Sequence, residues 1–270
     1  MSKTSDLLLA LKPSAQQLDS EIEKSLVDFR GQPISCEAAA YGAGGVSSTY
    51  QTSQDQMRAV LSARLNEALD LSLRGAAYPE QAATRAFYNL SPEGTIGIDS
   101  PAGRAAMVAT ALKKGISQCV SINLTGGLDT HFGTQTVHAQ RLRDGFEALA
   151  RMVDDLRATP HRSGGNFMDH TTIMVFSEFS RTPLINASGG RDHHLCSSAL
   201  LMGAGFKHNT VFGKSGDIGM APGRVNLKTG ELDPNNGENI LPEHVIATVL
   251  ASANLDYSYM RVEPLRGLLA

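Results

Sequence analysis

Long hydrophobic runs, a charge bias and a cysteine pattern are all missing from this 270-residue sequence. No stretch approaches the roughly eighteen consecutive apolar residues of a transmembrane helix, so no membrane span is expected. The opening apolar run, Leu7 to Leu11, is shorter than a signal-peptide core, and no small-residue cleavage site follows it. Within the sequence as it stands, no export signal is therefore expected. Lys and Arg total 24 against 27 Asp and Glu, a balance of −3 with no basic cluster, which argues against nucleic acid as a partner. The three cysteines, Cys36, Cys119 and Cys196, are far apart and odd in number, so no disulfide framework is expected. Cys119 lies in an apolar run, where a buried, inert thiol is expected.

What is present is an ordinary globular composition, 41% hydrophobic and 19% charged, in a chain long enough to bury a substantial core. Leu18, Ile22, Leu26 and Phe29 recur at helical spacing behind Ser14, predicting a helix over 14–30. The Gly- and Ser-rich stretch 32–52 lacks the Gly-Lys-Ser/Thr of a phosphate loop and reads as a linker or surface loop. Met57, Leu61, Leu65 and Leu69 predict a second helix over 53–73, and 80–90 a short third, with Tyr78, Phe87 and Tyr88 packing on neighbouring helices. Ser100-Pro101 is a cap followed by a proline, starting a helix that ends near Gly115. Leu142, Phe146, Leu149, Val153 and Leu156 place one apolar face on a helix over 134–158. The runs 117–124, 171–177 and 197–203 read as buried strands, 210–213 as a shorter one, 214–239 as an irregular excursion and 242–254 as a last helix.

Strands followed by helices predict a parallel α/β sheet, with ligands beyond the carboxyl ends of its strands. Polar groups of metal-binding type fall at those ends. Asp129 and His131 alternate after Gly126-Gly127, and alternate residues of an extended backbone share a face. A carboxylate and an imidazole suit zinc, manganese or iron, although Asp129 could equally cap a helix while His131 orients the loop. Glu178 ends the second run close to Arg181; the two can form an ion pair, or bind a metal and an anionic substrate respectively. Asp192-His193-His194 follows a Gly-rich loop, and spacing does not decide which histidine faces a site. His138, His161, His170, His208 and His244 stand singly and read as surface or structural histidines. Ser177, Ser180 and Thr182 lie in no Gly-x-Ser-x-Gly elbow, so satisfying loop backbone suits them better than a nucleophile's role.

The strings Gly-Leu-Asp129-Thr-His131, Ser177-Glu178-Phe-Ser-Arg181-Thr-Pro183 and Gly190-Arg-Asp192-His193, with the closing segment Leu241 to Asp256, resemble the DUF1501 family, a relative of the alkaline phosphatase and sulfatase superfamily. The resemblance implies a three-layer α/β/α sandwich around a mostly parallel sheet. Residues 1–99 would form a mainly helical, insertion-like segment and 100–270 the α/β core. It implies a divalent metal, zinc first, with manganese, calcium and iron as alternatives. The ligands would come from Asp129, His131, Asp192 and His193, with Glu178 and Arg181 in catalytic roles. The implied activity is hydrolysis of small phosphate or sulfate esters. Glu178-Phe179 stands where the superfamily holds a second metal with an Asp-His pair, keeping only the carboxylate.

The superfamily's first-strand Asp and its Ser or Thr nucleophile are not found in residues 1–100. The chain therefore resembles a C-terminal portion, with an incomplete site and an exposed sheet edge through which it could self-associate. The family's twin-arginine signal, implying bacterial export, is not found either. Two other readings are a non-catalytic scaffold whose motif residues brace loops, and an iron oxygenase using two histidines and a carboxylate.

Overall fold

A computed structural model describes residues 21, 22, 24, 25, 52, 53, 55–59, 65–91, 97–217 and 219–270. The Gly-rich stretch 32–51, Cys36 and most of the helix expected over 14–30 lie outside the described residues, although 21, 22, 24 and 25 are helical. The chain divides into two compact units. One comprises Met1–Leu124 with Asp144–Met152, the other Thr125–Arg143 with Val153–Ala270.

In the first unit, helix α1 (Leu65–Leu69) ends four residues before the expected Leu73. Asp70 stops it by accepting the Ser72 N–H through Oδ1 at 2.9 Å, a local turn that competes with further helix. Helix α2 (Pro79–Phe87) and helix α3 (Pro101–Lys113) both begin with proline at the first helical position. Ser100 caps α3 as expected, its Oγ accepting the Gly103 N–H at 3.1 Å. Leu69, Met107 and Ala111 form a buried cluster with Ile116 against it. Tyr88 is buried, whereas Phe87 is exposed. The buried Arg85 is satisfied by two carbonyls, Leu71 O at 3.0 Å and Leu73 O at 2.7 Å, and so fastens the chain after α1 to α2.

Helix α4 (Gln135–Ala158) runs one residue short of its expected start. Leu149, Val153 and Leu156 are buried as the periodicity predicts, but Phe146 is 46% exposed.

The second unit overturns the parallel sandwich. Its two ladders pair β1 (Thr172–Phe176) with β4 (Ala199–Gly203), and β2 (Ser180–Arg181) with β3 (His193–His194), and both are antiparallel. Thr172 lies opposite Gly203 and Phe176 opposite Ala199. Ser180 then lies opposite His194, a register one residue out of step with the first ladder. The four strands thus nest as one long hairpin arm interrupted by a bulge-like slip. No helix stands between β1 and β4 to carry the crossover that parallel neighbours require. Among the described residues, 117–124 and 210–213 form no strand, and Cys119 is exposed rather than buried. The arm is only half-buried, with Phe176 at 68% exposure. Helix α5 (Pro242–Ser252) packs beside β1. No described helix is long and apolar enough to cross a membrane.

Candidate metal centre

The hairpin arm carries Arg181, Asp192 and His193, and the segment before α4 carries Asp129 and His131. In the two-residue β2–β3 ladder Arg181 lies opposite His193, and Ser180 opposite His194. Alternation therefore puts Arg181 and His193 on one face and His194 on the other. The structure resolves the choice between the two histidines. His194 turns away, its Nε2 2.9 Å from Gly219 O and its Nδ1 accepting the Cys196 N–H at 3.1 Å.

Residues 182–192 close the arm around Asn186, whose amide is fully used. Its Oδ1 accepts the N–H groups of Ser188 (3.0 Å) and Gly190 (2.9 Å), and its Nδ2 donates to His131 O (3.1 Å) and Asp192 Oδ1 (2.9 Å). Arg191 staples the same loop, donating to the carbonyls of Thr182 (2.8 Å) and Pro183 and to Gln135 Oε1 (3.1 Å). Its backbone N–H donates to Thr130 O at 2.9 Å, tying the loop to the segment that carries Asp129 and His131. Gly190 allows this approach, because a Cβ there would overlap the His131 carbonyl. Asn186, Arg191 and Gln135 are the supporting residues that sequence spacing missed. Asn186 in the run before Gly189-Gly190 was their one visible signal, as a turn former.

These ties gather Asp129, His131 and His193, each offering a ligand atom, with all three atoms within 4.8 Å of one another. His131 Nε2 is 3.1 Å from His193 Nε2 and 3.4 Å from Asp129 Oδ1. Tetrahedral zinc with bonds near 2.0–2.1 Å sets its ligand atoms about 3.3 Å apart, so two of the three separations already fit. The third, Asp129 to His193, needs only side-chain rotation, for both residues are exposed. Three such groups on an open face would leave a fourth coordination position free.

Asp192 sits behind the cluster. Its Oδ1 accepts the His131 Nδ1–H at 3.1 Å. A carboxylate accepts only, so Nδ1 must carry the proton and Nε2 keeps its lone pair for a metal. The Asn186 hydrogen bond, and then that from His131, hold the Asp192 carboxyl below the usual carboxylate range. Asp192 is thus placed to orient His131 rather than to ligate.

Arg181, its side chain 12% exposed, donates through Nη2 to Asp129 Oδ1 (3.1 Å) and through Nη1 to Arg191 O (3.1 Å). Its guanidinium lies 5.4 Å from the Phe179 ring centroid, and that ring also stacks on His193 at 4.0 Å. His138, in the first turn of α4, approaches Thr130 Oγ1 at 3.2 Å; burial, then Arg181 and Arg191, push its pKa below the ordinary value. Glu178 lies outside the cluster, exposed on the turn after β1 and accepting from Ser177 Oγ at 3.2 Å.

Geometry of this kind is that of a candidate mononuclear metal centre between a β-hairpin arm and the segment that leads into α4. The chain belongs to the family described as "Protein of unknown function (DUF1501)", whose profile matches residues 10–233. No curated protein and no solved structure matches it.

Proposed function

We propose that this chain is a metal-dependent hydrolase-like protein in which Asp129, His131 and His193 hold one divalent ion, zinc first, for work on phosphate or sulfate esters. The carrying observation is the convergence of three ligand atoms, from segments some sixty residues apart, on an exposed face beside a cation. A metal so placed would polarise an ester oxygen and lower the pKa of a bound water. Arg181 presents a planar guanidinium to the same face and can turn part of its hydrogen bonding to the oxygens of an anionic ester. Phe179 and the Arg191 carbonyl hold it at that angle. Asp192 fixes the His131 tautomer. The likeness to alkaline phosphatases and sulfatases enters this reading through the motif residues and not through the architecture.

Two other readings have an observation each. The Arg181–Asp129 pair already neutralises one candidate ligand, which favours a scaffold whose motif residues brace loops. The Asp129 side chain is 77% exposed, however, and a pair with its carboxylate in solvent is worth only about 1 kcal/mol, too little to hold that carboxylate against a divalent ion. Two histidines and one carboxylate are also the ligand set of non-haem iron oxygenases.

Assays of aryl phosphate and aryl sulfate with zinc, manganese, calcium or ferrous iron separate the three. Metal-dependent hydrolysis that disappears in His131→Ala, and whose KM rises in Arg181→Ala, is expected. Turnover only with ferrous iron and oxygen would replace the hydrolase by the oxygenase. Failure to bind any metal would leave the scaffold.

A further inference from the structure

A second concave site lies in the same unit, built from residues far along the chain from the metal-type cluster. A cavity of about 740 Å³ opens between the turn at 225–228, the loop 233–238, the start of α5 and residues 261–266. Its size is within the range of small-molecule sites, roughly 300–1,000 Å³. Backbone ties make it a fixed feature. Val225, fully buried, exchanges hydrogen bonds with Glu238 (Val225 N–H to Glu238 O at 2.8 Å, Glu238 N–H to Val225 O at 2.9 Å). Thr248 accepts the Leu265 N–H at 2.8 Å and donates to His244 O at 2.6 Å, fastening the 261–266 wall to α5.

The walls are charged in both senses. Arg266 pairs with Glu263 at 2.9 Å, and Asp233 Oδ1 accepts the Asn236 N–H at 2.9 Å. Lys228, Arg261 and Glu238 also line the cavity, and none of their charged groups has an ion-pair partner among the described residues. His244 lines it too and is 4% exposed. Its Nδ1 accepts the Leu241 N–H at 2.9 Å, so the neutral ring carries its proton on Nε2, which has no partner among the described residues. A buried imidazole and two exposed cations line the same cavity as an exposed carboxylate, together with Leu227 and Val262.

A simple anion would leave the acids unanswered, and a simple cation the bases. We propose that this cavity binds a small dipolar molecule bearing both a carboxylate and an ammonium group, a free amino acid or a short peptide. The carboxylate goes to Lys228, Arg261 and the His244 Nε2–H, and the ammonium to Glu238 and Asp233. Nothing in this assignment depends on a metal at Asp129, His131 and His193.

Titration calorimetry of the full chain with leucine and with leucyl-leucine tests it, alongside the N-acetylated and C-amidated forms of each. Saturable binding by at least one free form is expected, with a loss of about tenfold or more on blocking either end. Arg261→Gln should remove most of the penalty for amidation, and Glu238→Gln most of that for acetylation. The other end's penalty should remain in each variant, which also shows that the variant is folded. Binding of neither free form, equal affinity for blocked and free forms, or inorganic phosphate binding as tightly as the free forms would each overturn the proposal.

Discussion

Two pairs of histidine rings lie close together in the second unit, tilted by 43° at His131 and His193 and by 30° at His161 and His170, and their surroundings differ. His161 and His170 lie 4.0 Å apart between ring centroids, closer than the 4.8 Å of His131 and His193. Yet the tighter pair is committed to its own loop. His161 Nδ1 accepts the Ser163 N–H at 3.2 Å, and His170 Nε2 lies 2.8 Å from Gly164 O. The acid beside them, Asp169, turns back to accept the Asn166 N–H at 2.9 Å. At the hairpin tip the opposite holds. Asp129 Oδ1 lies 3.4 Å from His131 Nε2, and a second carboxylate, Asp192, takes up Nδ1 of His131 so that Nε2 is left over. Proximity of imidazoles does not make a site; a free lone pair and an acid within reach do.

Removing a ligand breaks this contrast most sharply. Asp129→Ala or His131→Ala should weaken zinc binding more than about 100-fold, while His161→Ala and His170→Ala leave it unchanged; competition with a chromogenic chelator reads both. Asp192→Asn is expected to cost about 10- to 100-fold, because Nδ1 of His131 loses its charged acceptor but no ligand atom is lost. Gly190→Ala tests the backbone approach of the two segments. Its methyl group would press on the His131 carbonyl and should destabilise the fold by about 1–3 kcal/mol in urea melts, with loss of metal binding.

The smallest effect is on pH dependence. His138 and His161 both have pKa values lowered from the ordinary 6.5, chiefly by desolvation, with Arg181 and Arg191 adding for His138, and His170 and Arg162 for His161. Both take up a proton less readily folded than unfolded. Their contribution to stability is therefore present above about pH 6.5 and lost as the pH falls below it. Melting temperatures between pH 7 and 5 should decline, and His138→Gln should flatten that decline.

The helices and the site segments were legible in the sequence to different depths than the sheet. Ser100-Pro101, Pro242 and the apolar face of α4 announce helices through local chemistry, and the structure follows them to within a few residues. Alternation likewise put Asp129 and His131 on one face, and their side chains are 3.4 Å apart. Strand pairing is a different kind of information. Thr172–Phe176 and Ala199–Gly203 are short apolar runs that suit a parallel or an antiparallel neighbour equally, and nothing within either run names its partner. The expected sandwich failed there: the two runs pair with each other, antiparallel, around the intervening β2–β3 ladder. The run at 117–124 has interleaved polar residues, Ser117, Gln118, Ser121 and Asn123, and Ser117 Oγ bonds locally to Cys119 O at 2.7 Å instead of leaving an extended strand. The choice of His193 over His194 needed the β2–β3 register, and the orienting role of Asp192 needed the position of Asn186. Both depend on contacts between segments far apart in sequence.

X-ray absorption at the zinc edge, on protein dialysed against limiting zinc, reads the coordination at Asp129, His131 and His193 itself. One equivalent of zinc with two imidazoles and only nitrogen or oxygen donors is expected, falling to background in Asp129→Ala. Protein that retains no zinc, or a parent and variant with the same zinc content and the same edge spectrum, would contradict it.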